Sequence, residues 1–223
     1  MPEGNFFHYD QAAVDHLARK DKKLAAAMQA IGPVRREVMP DLFQALMHAI
    51  TGQQISMAAQ RTVWGRLCGL LGEVTPQALL AQPQTALQAL GLSARKVDYM
   101  RGIARQVVDG ELDLPGMAAL EDAEVCRRLA ALRGIGVWTA EMLLLFSLQR
   151  PDILSYDDLA IRRGLRMLYR HKEMPRERFE RYRRRFSPYG SLASLYLWAI
   201  AGGALPELDD PAERKKGRSR PAA

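Results

Sequence analysis

The chain is most distinctive at residues 132–140, where it reads LRGIGVWTA. Glycine at both Gly134 and Gly136 permits a tight turn and a close approach of the backbone to a ligand. A helical pattern precedes the turn over residues 121–132, and an apolar helix follows it to residue 148. The N–H groups at the start of the second helix would point at one place, which is a geometry that binds phosphate. The pattern predicts a helix-hairpin-helix unit with an anion site at its turn.

An aspartate follows the hairpin at Asp158, in the segment Asp-Leu-Ala-Ile-Arg. With this combination the chain resembles the helix-hairpin-helix DNA glycosylases, and within them it is most similar to bacterial 3-methyladenine DNA glycosylase II. Two further matches are Gly-Gln-Gln-Ile-Ser at residues 52–56 and a terminal helix that carries Trp198. The resemblance covers most of residues 41–203. It implies an all-α fold, in a short form that lacks the N-terminal β-rich lobe of the familiar bacterial enzyme.

The resemblance also implies two helical lobes that flank an active-site cleft. Residues 39–148 would form the central lobe, with the hairpin unit at 121–148. Residues 1–38 and 149–206 would form the second lobe from both ends of the chain, and the apolar spacing predicts one helix over residues 11–31. Residues 207–223 show no apolar periodicity, so we expect them to be a disordered tail.

Length and composition limit the class of protein. A chain of 223 residues that is 48% apolar can bury a substantial core in one domain or two packed lobes. No apolar run approaches the roughly 20 residues that span a bilayer, and the N-terminus lacks a signal-peptide pattern. We therefore expect an intracellular, cytoplasmic protein, nucleoid-associated if bacterial, with no membrane partner. Cys68 and Cys126 are too few for the four-cysteine iron-sulfur cluster of some relatives, and no cofactor is required.

The positive charge is concentrated in one segment. Residues 162–185 contain 11 Lys or Arg and three Glu, a balance of +8 in a chain whose net charge is +7. A concentrated basic face favours a polyanion, and nucleic acid is the default one. The alternative is a solvated helix face, which is common for charge runs. Together with the resemblance, this predicts duplex DNA with damaged bases as the partner of a monomeric protein.

By resemblance, Asp158 is the catalytic residue. A glycosylase turns the nucleotide out of the duplex and cuts the N-glycosidic bond, which builds positive charge on the sugar. A fixed carboxylate beneath the sugar stabilises that charge. It can act as an electrostatic stabiliser or as the base that activates water, and the sequence does not separate these roles. Asp157 is the neighbouring candidate, and one of the two is expected to cap the following helix. The family pattern aligns with Asp158.

Trp138 decides the type of reaction that the resemblance implies. Relatives that also cut the DNA strand have a lysine two positions after the second hairpin glycine, and this lysine forms a Schiff base with the sugar. Tryptophan occupies that position here, and indole is not a nucleophile. We therefore expect a monofunctional hydrolase that leaves an abasic site.

The predicted pocket contains Trp138, Trp198, Met142 and Tyr156. An indole face attracts a cationic ring, and 3-methyladenine and 7-methylguanine nucleotides carry a positive charge. The alternative for each tryptophan is a place in the core. A relative has tyrosine at the Met142 position, so we expect a wider pocket whose lesion range is open.

The segment at residues 52–56 matches the turn that enters the base stack in relatives. By resemblance, Gln54 is the residue pushed into the gap, with Ile55 and Met57 as alternatives because apolar wedges suit unstacking. Gln53 and Ser56 are predicted to contact DNA with it. The competing interpretation is that Ser56 caps a helix and that both glutamines are polar linkers.

The hairpin is predicted to hold DNA phosphate through the backbone amides of Gly134, Ile135, Gly136 and neighbours such as Thr139. By resemblance it also binds a monovalent cation, Na⁺ or K⁺, through the carbonyls of Ala130, Leu132 and Ile135. The histidines show no metal-ligand spacing.

The most consistent hypothesis is a base excision repair glycosylase for alkylated bases. One alternative is a glycosylase of the same fold that acts on uracil, hypoxanthine or mismatched bases. The other is a non-catalytic helix-hairpin-helix module that only binds DNA, for which a carboxylate aimed at an anion would be unfavourable.

Overall fold

The structure, a computed structural model, describes residues 5–213. Within that range the chain forms twelve α-helices, a short 3₁₀ helix at Pro115–Ala119 and one isolated antiparallel bridge between Phe6 and Glu37. In chain order the helices are α1 (Gln11–Lys20), α2 (Lys22–Ile31), α3 (Leu42–Gly52), α4 (Met57–Leu71), α5 (Pro76–Ala81), α6 (Gln84–Ala89), α7 (Ala94–Val108), α8 (Asp122–Ala130), α9 (Val137–Phe146), α10 (Leu159–Tyr169), α11 (Arg176–Phe186) and α12 (Gly190–Ala201). The all-α prediction is confirmed.

The chain divides into two compact units. Unit 1 comprises Val38–Gln149 together with Asn5, and unit 2 comprises Phe6–Glu37 and the described residues from Arg150 onward. No helix among residues 5–213 is long and apolar enough to cross a bilayer.

Unit 1 is built around α3, which packs against α4, α7 and α9. Leu46, Met47 and Ile50 of this helix are completely buried. Side-chain caps fix where the surrounding helices start, because Ser, Thr and Asp oxygens satisfy N–H groups of the first turn. The capping residues of α3, α4, α5 and α7 are Asp41, Ser56, Thr75 and Ser93. The loops that carry the predicted site therefore extend from helices with well-defined ends.

Unit 2 is held together by the contact between α10 and α12. At Gly164 the two helices approach so closely that a Cβ atom there would collide with the Leu197 carbonyl oxygen. The surrounding core includes completely buried Leu165, Phe179 and Ile200. This close packing fixes α10, and with it the residue that precedes α10, relative to α12.

The prediction of a single helix over residues 11–31 is wrong, because the helix is interrupted at Asp21. This residue has an extended backbone (φ −147°, ψ 108°) and ends α1 while it caps α2. Its carboxylate accepts hydrogen bonds from the N–H groups of Lys23 and Leu24 at 3.0 and 2.9 Å. Asp21 is buried, and its other oxygen accepts a hydrogen bond from Arg185 at 2.8 Å.

The predicted disordered tail is also wrong in its first part. Asp210 is 4% exposed, and its carboxylate binds the Arg166 guanidinium in a two-pronged contact at 3.0 and 2.5 Å. Leu208 packs against the core of unit 2. Residues 207–213 are thus part of unit 2, and the remainder of the predicted tail, residues 214–223, lies outside the described residues.

Candidate active site

Asp158 is the residue that caps α10. Its Oδ1 atom accepts a hydrogen bond from the Ile161 N–H at 2.8 Å, and the residue is 6% exposed. Asp157, in contrast, is exposed. The expectation that one of the two aspartates caps the helix therefore applies to Asp158. A cap held in this way orients the carboxylate at the positive end of the helix, where negative charge is stabilised.

Trp198 also contacts this carboxylate. Its indole Nε1–H donates a hydrogen bond to the same Asp158 Oδ1 at 3.1 Å, and the half-buried ring packs against the core of unit 2. The carboxylate is thus held from both α10 and α12. The sequence predicted Trp198 as a pocket wall and gave no sign of this hydrogen bond, because the two residues are 40 positions apart. Its predicted stacking role stays a prediction.

The hairpin turn has the backbone geometry that the glycine pattern predicts. Gly134 has a φ of +90°, and a Cβ atom there would collide with the ring of Tyr99, so no other residue fits. Gly136 precedes α9 without any side-chain cap, and both Gly136 and Val137 are exposed. The first turn of α9 can therefore offer its N–H groups to a phosphate.

The loop between α3 and α4 exposes the three wedge candidates. Gln54 is exposed and adopts a left-handed backbone with a φ of 57°. The exposed fractions of Ile55 and Met57 are 39% and 78%. Ser56 caps α4 through a 3.2 Å hydrogen bond from the Ala59 N–H, as the competing interpretation proposed. The side chain of Gln53 is engaged within unit 1, where Nε2 donates to the Gly134 carbonyl oxygen at 2.7 Å.

A cavity of about 270 Å³ in unit 1 brings together four of the predicted residues, Gln53, Trp138, Thr139 and Met142. The Trp138 residue is 46% exposed, so this tryptophan is not a core residue. The remaining walls are mostly apolar side chains of α3 and α9. Asp158, Trp198 and Tyr156 belong to unit 2. The predicted site residues thus form two groups, one in each unit.

These features match a known superfamily. The sequence pattern described as "HhH-GPD superfamily base excision DNA repair protein" matches residues 47–188, which is more than half of the chain and includes both the hairpin and Asp158.

This chain belongs to the HhH-GPD superfamily.

Individual relatives agree with this assignment. The chain is similar to DNA-3-methyladenine glycosylase 1 of Schizosaccharomyces pombe, with 30% identity over 209 residues that cover 90% of this chain and 91% of the relative. A crystal structure of a DNA-3-methyladenine glycosidase from Bacillus halodurans matches with a TM-score of 0.81 and 34% identity, over 92% of this chain and 95% of that one. A 3-methyladenine DNA glycosylase from Schizosaccharomyces pombe, solved in complex with abasic DNA, matches with a TM-score of 0.74 and 30% identity, over 84% and 95% of the two chains.

Tyr156, the last predicted pocket residue, is packed among its neighbours in unit 2. Its ring lies edge-on to Phe179, with 5.2 Å between centroids. The guanidinium groups of Arg162 and Arg176 lie 4.9 and 5.0 Å from its centroid. The Tyr156 ring therefore already makes two cation–π contacts in this HhH-GPD protein. These contacts weaken the attraction of the ring for a cationic base.

Two polar cavity residues, His48 and Gln60, were not predicted as part of the site. The Gln60 Nε2 atom donates to the His48 carbonyl oxygen at 3.0 Å and lies 3.3 and 3.4 Å from the two ring nitrogens. Burial lowers the pKa of His48, so the imidazole is neutral at neutral pH. A neutral ring would not repel a cationic base. No sequence signal marks these residues, since each is one of several polar positions on its helix.

The monovalent cation that the family implies would have to bind main-chain oxygens. Among residues 5–213 no group of His, Cys, Asp or Glu side chains is arranged to hold a metal ion. Ala130 is the last residue of α8, so its carbonyl lies at the negative end of that helix. The Leu132 carbonyl accepts one hydrogen bond, from the Ile135 N–H at 3.0 Å, and retains a second lone pair. The carbonyls of Ala130 and Leu132 are thus the main-chain oxygens that would hold such a cation, which stays a prediction.

Proposed function

We propose that this protein is a monofunctional DNA glycosylase of base excision repair. It hydrolyses the N-glycosidic bond of alkylated bases, of the 3-methyladenine and 7-methylguanine type, after they are flipped out of duplex DNA. The observation that carries the proposal is the buried Asp158 carboxylate, held by hydrogen bonds from the Ile161 N–H and the Trp198 indole. Further support comes from the relatives, which are named 3-methyladenine glycosylases, and from the one bound to abasic DNA.

The chemistry needs one fixed negative charge and one water molecule. As the bond between the base nitrogen and C1′ breaks, positive charge develops on the sugar, and the Asp158 carboxylate stabilises it more than it stabilises the substrate. The water oxygen then bonds to C1′ and its proton leaves to a base. Alkylation makes the purine a better leaving group because it departs as a neutral molecule, so little further catalysis is required.

Trp138 supports hydrolysis without strand cleavage. Because indole cannot attack the sugar, no Schiff base forms and the product is an intact strand with an abasic site. The residue is 46% exposed and lines the cavity, which is the position from which we expect its ring to stack on a flipped base.

The test measures release of free base from methylated duplex DNA by the wild type and by Asp158→Asn, with a parallel gel for strand scission. Asparagine is also a good cap, so this variant removes the charge and leaves α10 intact. We expect the release rate to fall by about 100-fold or more, because a fixed charge is usually the largest single contribution. Asp157→Asn is the matched control and should retain the wild-type rate.

Three other results would contradict the proposal or part of it. Release from uracil or hypoxanthine duplexes but not from methylated DNA would indicate the other glycosylase class. Binding of duplex DNA with no release of any base would indicate a non-catalytic module. Strand scission by the wild type would contradict the monofunctional assignment.

For the hairpin, we propose that Na⁺ or K⁺ binds the carbonyls of Ala130, Leu132 and Ile135 and supports the turn that faces phosphate. Replacing both ions by a bulky organic cation at equal ionic strength should weaken DNA binding, whereas a chelator of divalent metals should have no effect. We also propose that the protein acts inside the cell as a monomer, and light scattering in the presence and absence of DNA would test the monomeric state.

A further inference from the structure

The loop at residues 53–56 has little internal support. Among the described residues, 53–55 make two backbone hydrogen bonds, and both are long: from the Gln53 N–H to the Ile50 carbonyl at 3.3 Å and from the Ile55 N–H to the Gly52 carbonyl at 3.5 Å. Ser56, the last residue of the loop, is better supported, because its carbonyl accepts the Gln60 N–H of α4 at 2.9 Å. Gln54, Ile55 and Ser56 are exposed. Without packing of its own, the loop depends on contacts at its base for a defined position.

One side chain supplies such a contact to the hairpin. Gln53 Nε2 donates to the Gly134 carbonyl oxygen at 2.7 Å, across 81 positions of sequence, and the contact is partly buried. The acceptor is closely packed, because the Gly134 backbone lies so near the ring of Tyr99 that a Cβ atom would collide with it. The hydrogen bond therefore joins a weakly supported loop to a closely packed turn.

Helix α7 supports both partners. Its Lys96 ammonium donates to the Thr51 carbonyl oxygen at 2.8 Å, at the end of α3 from which the loop departs. One turn further along α7, Tyr99 contacts Gly134. Partial burial lowers the pKa of Lys96, which is the expected result when the ammonium is withdrawn from water to bind a carbonyl. The loop and the hairpin are thus both in contact with α7 within unit 1.

We infer that Gln53 is a positioning residue that fixes the loop at residues 53–56 relative to the phosphate-binding hairpin. This role rests on the proposed function and extends it. The hairpin holds the DNA backbone while the loop fills the gap left by the extruded base. A displacement of even about 1 Å between the two costs rate, because the reacting groups then leave their productive geometry. Gln53 acts through the loop and does not itself need to touch DNA.

The test uses Gln53→Met, which keeps the length of the side chain and removes its hydrogen-bond donor. We expect single-turnover excision to slow about five- to tenfold, which corresponds to one lost hydrogen bond. Affinity for undamaged duplex should stay within about twofold, since hairpin–phosphate contacts supply it. Gln84→Met is the matched control, because Gln84 is an exposed glutamine at the start of α6, and it should behave as the wild type.

A second measurement does not depend on activity. Millisecond amide hydrogen exchange of the free protein should be faster at residues 53–56 in Gln53→Met and unchanged in α3 and α4. Unchanged exchange in the loop overturns the inference, and so does faster exchange with an unaltered excision rate. If the wild type releases no base, the proposed function fails, while the exchange measurement still decides whether Gln53 holds the loop.

Discussion

At the scale of single residues, one oxygen atom of Asp158 has two structural roles. It caps α10 and it accepts the indole N–H of Trp198. A carboxylate that must stabilise a transient positive charge gains from such fixation, because it need not reorganise during the reaction. On the proposed function, we therefore expect Trp198 to position the Asp158 carboxylate, in addition to its predicted place in the pocket.

Trp198→Phe tests this role, since phenylalanine keeps the aromatic ring and lacks the N–H donor. We expect the excision rate to fall by about tenfold, in line with the loss of one hydrogen bond to a charged group. Tyr196→Phe is the control, because it removes a hydrogen bond from the same helix, to the Gly32 carbonyl, and leaves Asp158 untouched. Equal rates for the two variants would contradict the positioning role.

The sequence could identify site residues where a local pattern marks them. The glycines of the hairpin and the aspartate before α10 each have a local physical reason, a tight turn or a helix cap, and the structure has both features. The bonds from Trp198 to Asp158 and from Gln53 to Gly134 were not predictable, because they join residues 40 and 81 positions apart. No periodicity or spacing rule reports such long-range contacts.

At the scale of helices, the break at Asp21 shows how a tertiary contact overrides an apolar pattern. The apolar positions continue across residue 21, which led us to predict one helix. Burial alone would raise the pKa of the Asp21 carboxyl, but hydrogen bonds from the Leu24 N–H and the Arg185 guanidinium outweigh it and hold the pKa below its usual value. Arg185 lies 164 positions away, so the sequence around Asp21 could not reveal the partner.

Asp21→Asn should keep both helix caps and lose the ion pair with Arg185. We expect a decrease of about 1–3 kcal/mol in the free energy of unfolding at pH 7. Because the pKa is lowered in the folded state, the stabilisation is complete above the unfolded value of about 3.9 and disappears as the pH falls through the folded-state pKa. Urea unfolding of both proteins from pH 7 to pH 3 should show converging stabilities. A difference that is constant with pH would exclude the ionic origin.

At the scale of the whole molecule, the basic segment at residues 162–185 is partly used inside the protein. Arg166 binds the buried Asp210, with Arg163 beside it, and Arg185 binds the buried Asp21. Arg181 and Arg184 on α11 are exposed. Part of the charge excess therefore supports unit 2, and the exposed arginines are the part for which we predict attraction to a polyanion.

Two arginine variants should separate these functions. Arg184→Ala should leave the free energy of unfolding unchanged within about 0.5 kcal/mol, and should lower by about 1 the slope of log affinity for DNA against log salt concentration. Arg166→Ala should destabilise the protein by about 2–3 kcal/mol, because Asp210 stays buried with weaker compensation. An unaltered salt slope for Arg184→Ala would support the alternative of a solvated helix face.

The left-handed backbone of Gln54 has a consequence for any attempt to improve this protein by selection. For a residue with a Cβ atom, a φ of 57° raises the free energy of the folded state by roughly 1–2 kcal/mol, and glycine would remove most of that strain. A screen for heat resistance would therefore favour glycine at this position and discard the side chain expected to enter the base stack. At Gln54 we therefore expect selection for stability and selection for base excision to favour different residues. A useful screen must measure release of damaged bases rather than heat resistance alone.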